Sequence, residues 1–254
     1  MKNKKLKTLI AISLVIIVLM VFIILSFSSK EFSITLEKPQ KETKKESSSK
    51  IIVLDAENLF GSNISKLVAN NVAKYIIQTN PETTDLNLYS QQIKQEAISS
   101  IANQLLAEIK VYTENDIKLV DNSEKNIKNY LNELLEVYNL YLKEYQGYDI
   151  MDLALKANND DENSRKLILN FINDSKSALN EIPNIPTPLM FKEIQIQYLN
   201  LLSQLNYLSL SLLMNENDPL RYEFAINAYE IFKYDYQNFA TEFNKIIEEN
   251  NLTN

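Results

Sequence analysis

From Phe191 to Leu212, apolar residues fall at Phe191, Ile194, Tyr198, Leu201, Leu205, Leu208 and Leu212, stepping by three and four without a miss. Leu199, Leu202, Leu210 and Leu213 lay a second apolar face on the same segment. Only a helix of 3.6 residues per turn brings such positions together. A helix apolar on two sides must be covered on two sides, so this one is expected at the centre of a bundle. The next segment repeats the pattern at Tyr222, Ala225, Tyr229, Phe232, Tyr236, Phe239, Phe243 and Ile246. Stripes of this spacing suit near-parallel helices crossing at about 20°. A membrane span over Ile194 to Met214 is disfavoured by eight polar residues, among them Gln195, Gln197, Asn200, Gln204 and Asn206.

Upstream, the same periodicity predicts helices over Asn63–Gln78, stopped before Pro81, and over Asn87–Lys110, with Ile98, Ile101, Leu105 and Ile109 on one face. "VYTENDIKLVDN" reads as a connector. Ser123 is placed to cap a third helix with Glu124 in its first turn. The face of that helix runs Ile127, Leu131, Leu134, Tyr138, Tyr141 and Tyr145, and Gly147 ends it. A short helix over Asp149–Ala157 and a long one over Glu162–Glu181 complete the set. With 2 glycines in 254 residues, tight-turned β folds and glycine-rich phosphate loops are poorly supported.

Three of the six prolines (Pro183, Pro186 and Pro188) lie in "NEIPNIPTPLMF", between two long apolar-periodic runs. Pro183 is expected to end the preceding helix at Ile182, because the residue before proline is pushed from the α region. "PNIP" then runs extended, and Thr187-Pro188 reads as an N-cap with proline at N1, a device repeated at Asp218-Pro219. The prolines are read as rigid connectors that set helix crossing, in preference to a proline-rich docking motif for a partner's aromatic groove.

The N-terminus is of another kind. Residues 1–7 carry Lys2, Lys4, Lys5 and Lys7, and the 19-residue run Leu9 to Phe27 is interrupted only by Ser13 and Ser26. At about 1.5 Å per residue that run covers roughly 28 Å, close to the hydrocarbon core of a bilayer. A transmembrane anchor over 8–28 with a cytoplasmic N-terminus is therefore expected. A cleaved signal peptide, with its shorter apolar region and small-x-small site, fits less well. Residues 29–50, dense in Lys, Glu and Ser, read as a flexible linker, and 51–254 as an extracytoplasmic helical domain. Membrane lipid is the partner of the anchor.

Charge follows the same division. The net charge is −7, yet residues 1–30 hold five lysines and no acid, leaving 21 basic and 33 acidic groups in the rest. An acidic body disfavours nucleic acid as a partner. Cysteine and histidine are absent, which removes the usual nucleophile–base pairs and most zinc and di-iron ligand sets. The acidic run "NNDDENS" (Asn158 to Ser164) is the best cation candidate, but lacks the glycine and closing glutamate of a calcium loop. It reads as a capped turn. Tyr222, Tyr229 and Tyr236 share an apolar stripe and read as core residues with hydroxyls at the rim, ahead of a ligand-stacking platform.

"VYTENDIKLVDNSEKNIKNYLNEL", "IPNIPTPLMFKEIQIQYLNLL" and "NDPLRYEFAINAYEIF" resemble an uncharacterised family of single-pass, membrane-anchored helical proteins of ultra-small candidate-phylum bacteria, over roughly residues 90 to 245. The shared pattern is a Tyr-Thr-x-x-Asp start to a helix, the proline-hinged connector and an Asp-Pro helix start. The family often has histidine where this chain has Gln195. The resemblance implies an extracytoplasmic helical domain and supplies no catalytic residues.

The expectation is thus an all-α protein: a transmembrane helix, a flexible stalk, and a bundle of about five to seven helices. Its role is expected to be that of a non-catalytic cell-envelope scaffold or interaction module with a protein partner. No catalytic, cofactor-binding or metal-ligating residue is assigned, and no cofactor. The alternatives are a ligand-binding or sensor-like bundle and, behind it, a carboxylate-dependent hydrolase with buried paired acids facing a cleft.

Overall fold

The computed structural model describes residues 60, 62–70 and 104–250. The anchor over 8–28, the linker over 29–50 and most of the first two expected helices lie outside the described residues. Their described parts are helical over 64–70 and 104–108. No helix among the described residues is long and apolar enough to cross a membrane.

Helix accounts for 79% of the described residues, so the body is mostly helical, as its periodicity predicts. The order is α1 (Glu124–Val137), α2 (Ile150–Asn158), α3 (Glu162–Glu181), α4 (Lys192–Ser211) and α5 (Pro219–Glu249). α4 packs against α3 on one side and α5 on the other, and α2 lies against α3 and α4. The doubly apolar stripe thus sits at the centre. Leu199, Leu208 and Leu212 are fully buried, whereas Tyr198 and Leu205 are half-buried. On α5 the stripe becomes a ladder of rings: Tyr229, Phe232, Tyr236, Phe239 and Phe243 follow one another at centroid distances of 5.9 to 6.2 Å. Tyr198 of α4 stacks on Phe239 at 5.9 Å. Each such ring contributes about 1.5–3 kcal/mol by leaving water, with a further increment from ring–ring geometry.

α1 does not stop at Val137. It runs into a π turn, Tyr138–Leu142, and a 3₁₀ turn, Lys143–Tyr145, before Gly147 turns the chain at φ 87°. That φ lies in the left-handed region, where a side chain is penalised. The widened stretch is fastened to α3 by two hydroxyl–carboxylate bonds, Tyr145 to Asp174 and Tyr141 to Glu181. Tyr145 also meets Phe171 edge-on at 5.2 Å.

"NNDDENS" is the turn between α2 and α3. Asp160 takes φ 64°. The N–H of Asp161 bonds back to the carbonyl of Lys156 at 3.1 Å, closing α2 with a Schellman turn. The Asp161 carboxylate then opens α3, accepting from the N–H groups of Asn163 and Ser164 and from the Ser164 hydroxyl. These bonds hold its carboxyl below the usual aspartate range, the Ser164 hydroxyl contributing most.

The helix before the proline connector ends as expected, at Glu181 with Ile182 as its C-cap, but the connector departs from expectation in its details. Ile182 keeps α-helical dihedrals, and Pro183 sits inside a 3₁₀ turn over Ile182–Asn184. It is Ile185, before Pro186, that is pushed to extended geometry. Thr187-Pro188 is not the cap of α4. Both residues belong to a short strand, β2 (Pro186–Pro188), and a 3₁₀ turn, Leu189–Phe191, precedes α4. Thr187 is fully buried, its hydroxyl donating to the Ile185 carbonyl at 3.0 Å. β2 pairs in parallel with β1 (Lys118–Val120), Leu119 facing Thr187. β1 lies in the segment read as a plain connector, so the all-helical expectation is corrected by this one two-stranded bridge. Prolines at both ends of β2 withhold their donors, which confines the pairing to a short edge.

Further bonds join the stretch around β1 to the proline connector and to α4. The Asn200 side chain accepts from the Tyr112 N–H at 2.7 Å and donates to its carbonyl at 3.1 Å, as a neighbouring strand would. Asn122 accepts from the Met190 N–H, and Lys192 pairs with Glu114 at 2.9 Å. The Tyr-Thr-x-x-Asp stretch is a capped turn in which Asp116 accepts from the Thr113 N–H and hydroxyl.

Candidate functional site

Two polar features stand out in this apolar body. The first is buried. Arg221, three residues into α5 from Asp218, is fully enclosed, an unusual place for a charged residue. Its Nε donates to Asp218 Oδ2 at 3.2 Å. Nη1 donates to Glu108 Oε2 and to the Tyr207 hydroxyl, the latter at 2.6 Å. Nη2 donates to the Ser62 carbonyl and hydroxyl, each at 3.2 Å, and to Glu108 Oε1 at 3.3 Å. The Phe60 ring lies 3.8 Å from the guanidinium carbon. Glu108 also accepts from Ser62 and Tyr207 hydroxyls at 2.8 and 2.9 Å. Five donors in a planar fork are what this geometry consumes, and lysine has no equivalent.

Asp218 stands before α5, yet its carboxylate caps a different helix. It accepts from the N–H groups of Ile64 and Ser65 and from the Ser65 hydroxyl. Burial alone pushes this carboxyl up. The bonds from Ser65, Ile64 and Arg221 outweigh it and leave the group below the usual aspartate value. The position of 64–70 thus depends on a carboxylate from the far end of the chain, placed where the helix dipole favours an anion. Burial pushes the Tyr207 hydroxyl up, so it remains a protonated donor to Glu108.

In this cluster Glu108 and Asp218 both face one guanidinium, and its bonds join segments of the chain far apart in sequence. Sequence reading passed over Arg221. One signal was available, since only two of the 26 basic residues are arginine, the other being Arg165. In a lysine-rich chain, a retained arginine marks a site that needs the fork.

The second feature is an open groove of about 370 Å³ between α1 and the proline connector, lined by Glu133, Glu136, Val137, Leu140, Glu181, Asn184 and Ile185. Val137 and Ile185 are buried beneath it, while Leu140 is 69% exposed at its edge. None of the three glutamates pairs with a lysine or arginine among the described residues. Glu181 accepts from the Tyr141 hydroxyl, a bond that raises the pKa of that tyrosine. Glu181 is also the last residue of α3, whose final turn has no basic residue. A carboxylate there faces the negative end of the helix dipole.

The other candidates from the sequence lie elsewhere. Asp161 is engaged in capping, and among the described residues no group of three or more carboxylates is arranged to hold a metal. Tyr229 is buried with its hydroxyl 3.4 Å from Asp149, and Tyr222 and Tyr236 are half-buried. Burial holds the Tyr236 hydroxyl up at about 12. Gln195 is fully buried, accepting from the Tyr130 hydroxyl at 2.8 Å and donating to the Ile182 carbonyl at 3.1 Å. It therefore fastens α1, α4 and the proline connector.

Compared with known protein families, curated proteins and solved structures, the chain finds no match.

Proposed function

We propose that this protein is a non-catalytic, membrane-anchored scaffold or protein-interaction module of the cell envelope, tethered through residues 8–28 with its helical body outside the cytoplasm. The observation that supports this reading is the groove at Leu140. It joins an exposed large apolar side chain to uncompensated charge on a rigid helical frame. An exposed apolar residue rimmed by polar groups is a common feature of interaction surfaces. The buried charges support it too, since Arg221, Glu108 and Asp218 are spent on holding the frame.

The test is chemical crosslinking in intact cells, followed by purification of the full chain from detergent-solubilised membranes. A stoichiometric envelope protein should co-purify, and its recovery should fall when Leu140 becomes Ser. Recovery of the chain alone from the soluble fraction overturns the proposal.

A ligand-binding or sensor-like bundle is the second reading. The groove volume favours it, because about 300–1,000 Å³ is the usual range for small-molecule sites.

A further inference from the structure

We infer that the groove between α1 and the proline connector receives a basic segment of a protein partner, one that places an apolar side chain between lysines or arginines. The inference rests on the interaction-module reading and names the chemistry of the partner.

Charge complementarity carries it. Glu133, Glu136 and Glu181 converge on one groove without a cation among the described residues, although this chain is rich in lysine. Some exposed acids elsewhere find lysines, as Asp152 does with Lys156 and Glu230 with Lys233, and others such as Glu124, Glu162 and Glu223 do not among the described residues; what distinguishes Glu133, Glu136 and Glu181 is that they line one groove beside an exposed leucine. Glu181 adds a local electrostatic cost, since a carboxylate opposes the C-terminal pole of α3. An incoming cation relieves that opposition. A free metal ion is a poor occupant, because the three carboxylates form no cluster able to ligate one. The apolar side of the groove sets the remaining requirement. Val137 and Ile185 form a buried floor, and Leu140 projects from the rim, so a side chain lying between the basic residues has apolar surface to cover. A wholly hydrophilic polyamine leaves that surface wet.

The frame is suited to holding such a segment. Two walls meet there: the junction of α1 with its π turn, and the proline-bearing turn over Ile182–Asn184. Tyr141 ties them by its bond to Glu181, and Asn184 is fixed by donating to the Asn180 carbonyl at 2.9 Å. A groove already formed loses little entropy on binding. π turns occur often at functional sites.

The experiment uses the full chain in detergent micelles and two labelled hexapeptides, Lys-Leu-Lys-Lys-Leu-Lys and its counterpart with Glu for Lys, read by fluorescence anisotropy. The basic peptide should bind and the acidic one should not. Replacing Glu133, Glu136 and Glu181 together by Gln should weaken binding by about tenfold or more and flatten its salt dependence. A second variant, Glu136→Lys, alters one exposed residue and should weaken binding with an unchanged thermal melt. Leu140→Ser should weaken binding even at high salt. Equal binding of both peptides, or wild-type affinity in the triple variant, overturns the inference. So does binding that appears only when residues 29–50 are deleted, because the chain's own lysines would then be the occupant. Peptide binding without any co-purified protein contradicts the interaction-module reading, whereas a co-purified protein indifferent to Glu136→Lys contradicts the groove assignment alone.

Discussion

Ser65 and Asp218 cap each other's helices. The Asp218 carboxylate accepts the Ser65 N–H at 2.9 Å and its hydroxyl at 2.7 Å, while Ser65 Oγ accepts the Leu220 N–H at 3.1 Å. Two helix N-termini therefore meet at residues 153 positions apart. Ser65→Ala should cost about 1 kcal/mol, the ordinary worth of a cap. Asp218→Ala should cost about 3–5 kcal/mol, because it also leaves Arg221 buried without one of its two carboxylates. A double-mutant cycle by urea unfolding should show coupling between the two sites. Simple additivity contradicts the reciprocal arrangement.

Arg221→Lys should behave as a severe substitution. A single ammonium cannot serve Asp218, Glu108, Tyr207 and Ser62 together, and a loss of about 3 kcal/mol is expected. An uncharged set, with Arg221→Met, Glu108→Leu and Asp218→Asn, should recover much of that loss, since it removes the need to pair buried charge. Denaturant midpoints distinguish these outcomes, and a melt unchanged by Arg221→Lys contradicts the account.

Stability should fall at both ends of the pH scale. The folded state holds Asp218 below its unfolded value of 3.8, so its contribution is complete above that value and is lost as pH falls through the lower folded pKa. Tyr236 is held at about 12 against 10.0 unfolded. Its contribution is complete below pH 10 and is lost as pH rises towards 12. Chemical denaturation across pH should show both losses, and Asp218→Asn should blunt only the acid limb.

The proline connector offers a finer test. Pro188 adopts φ −60°, within the range of its ring, so Pro188→Ala should cost less than about 1 kcal/mol through unfolded-state entropy. Thr187→Val removes a buried hydroxyl bonded to Ile185 and should cost about 1 kcal/mol. Asn200→Leu should cost more, about 2 kcal/mol, since it strands both polar groups of the Tyr112 backbone. If Pro188→Ala proves the worst of the three, the prolines are doing more than shaping the backbone.

What the sequence made legible was local. α3 occupies the predicted Glu162–Glu181, α2 follows Asp149 as expected, and the stripes on α4 and α5 face the core, because hydrophobic periodicity is a property of one helix at a time. What it hid was pairing at a distance. Nothing within "DIKLVDN" announces a partner in "PTP", and β1–β2 exists only because the intervening helices bring the two together. Thr187 followed by Pro188 has the composition of a cap, and tertiary pairing took it for a strand instead. Ser123 does occupy the N-cap position of α1, but its side chain makes no cap bond there. Its N–H donates to Asp121. Of the groove, only the prolines on one wall drew notice in the sequence. Its glutamates, Glu133 and Glu136 on α1 and Glu181 at the end of α3, were spaced like those of any solvated face.

The reciprocal cap has a consequence for the order of synthesis. A ribosome adding about 5–20 residues per second makes Ile64 and Ser65 roughly 8–30 s before Asp218 exists. Throughout that interval the N-terminal turn of 64–70 has its Ile64 and Ser65 amides without their native acceptor. Capping of that segment by Asp218 therefore waits for the late part of the chain, and a nascent chain truncated before residue 218 cannot complete it.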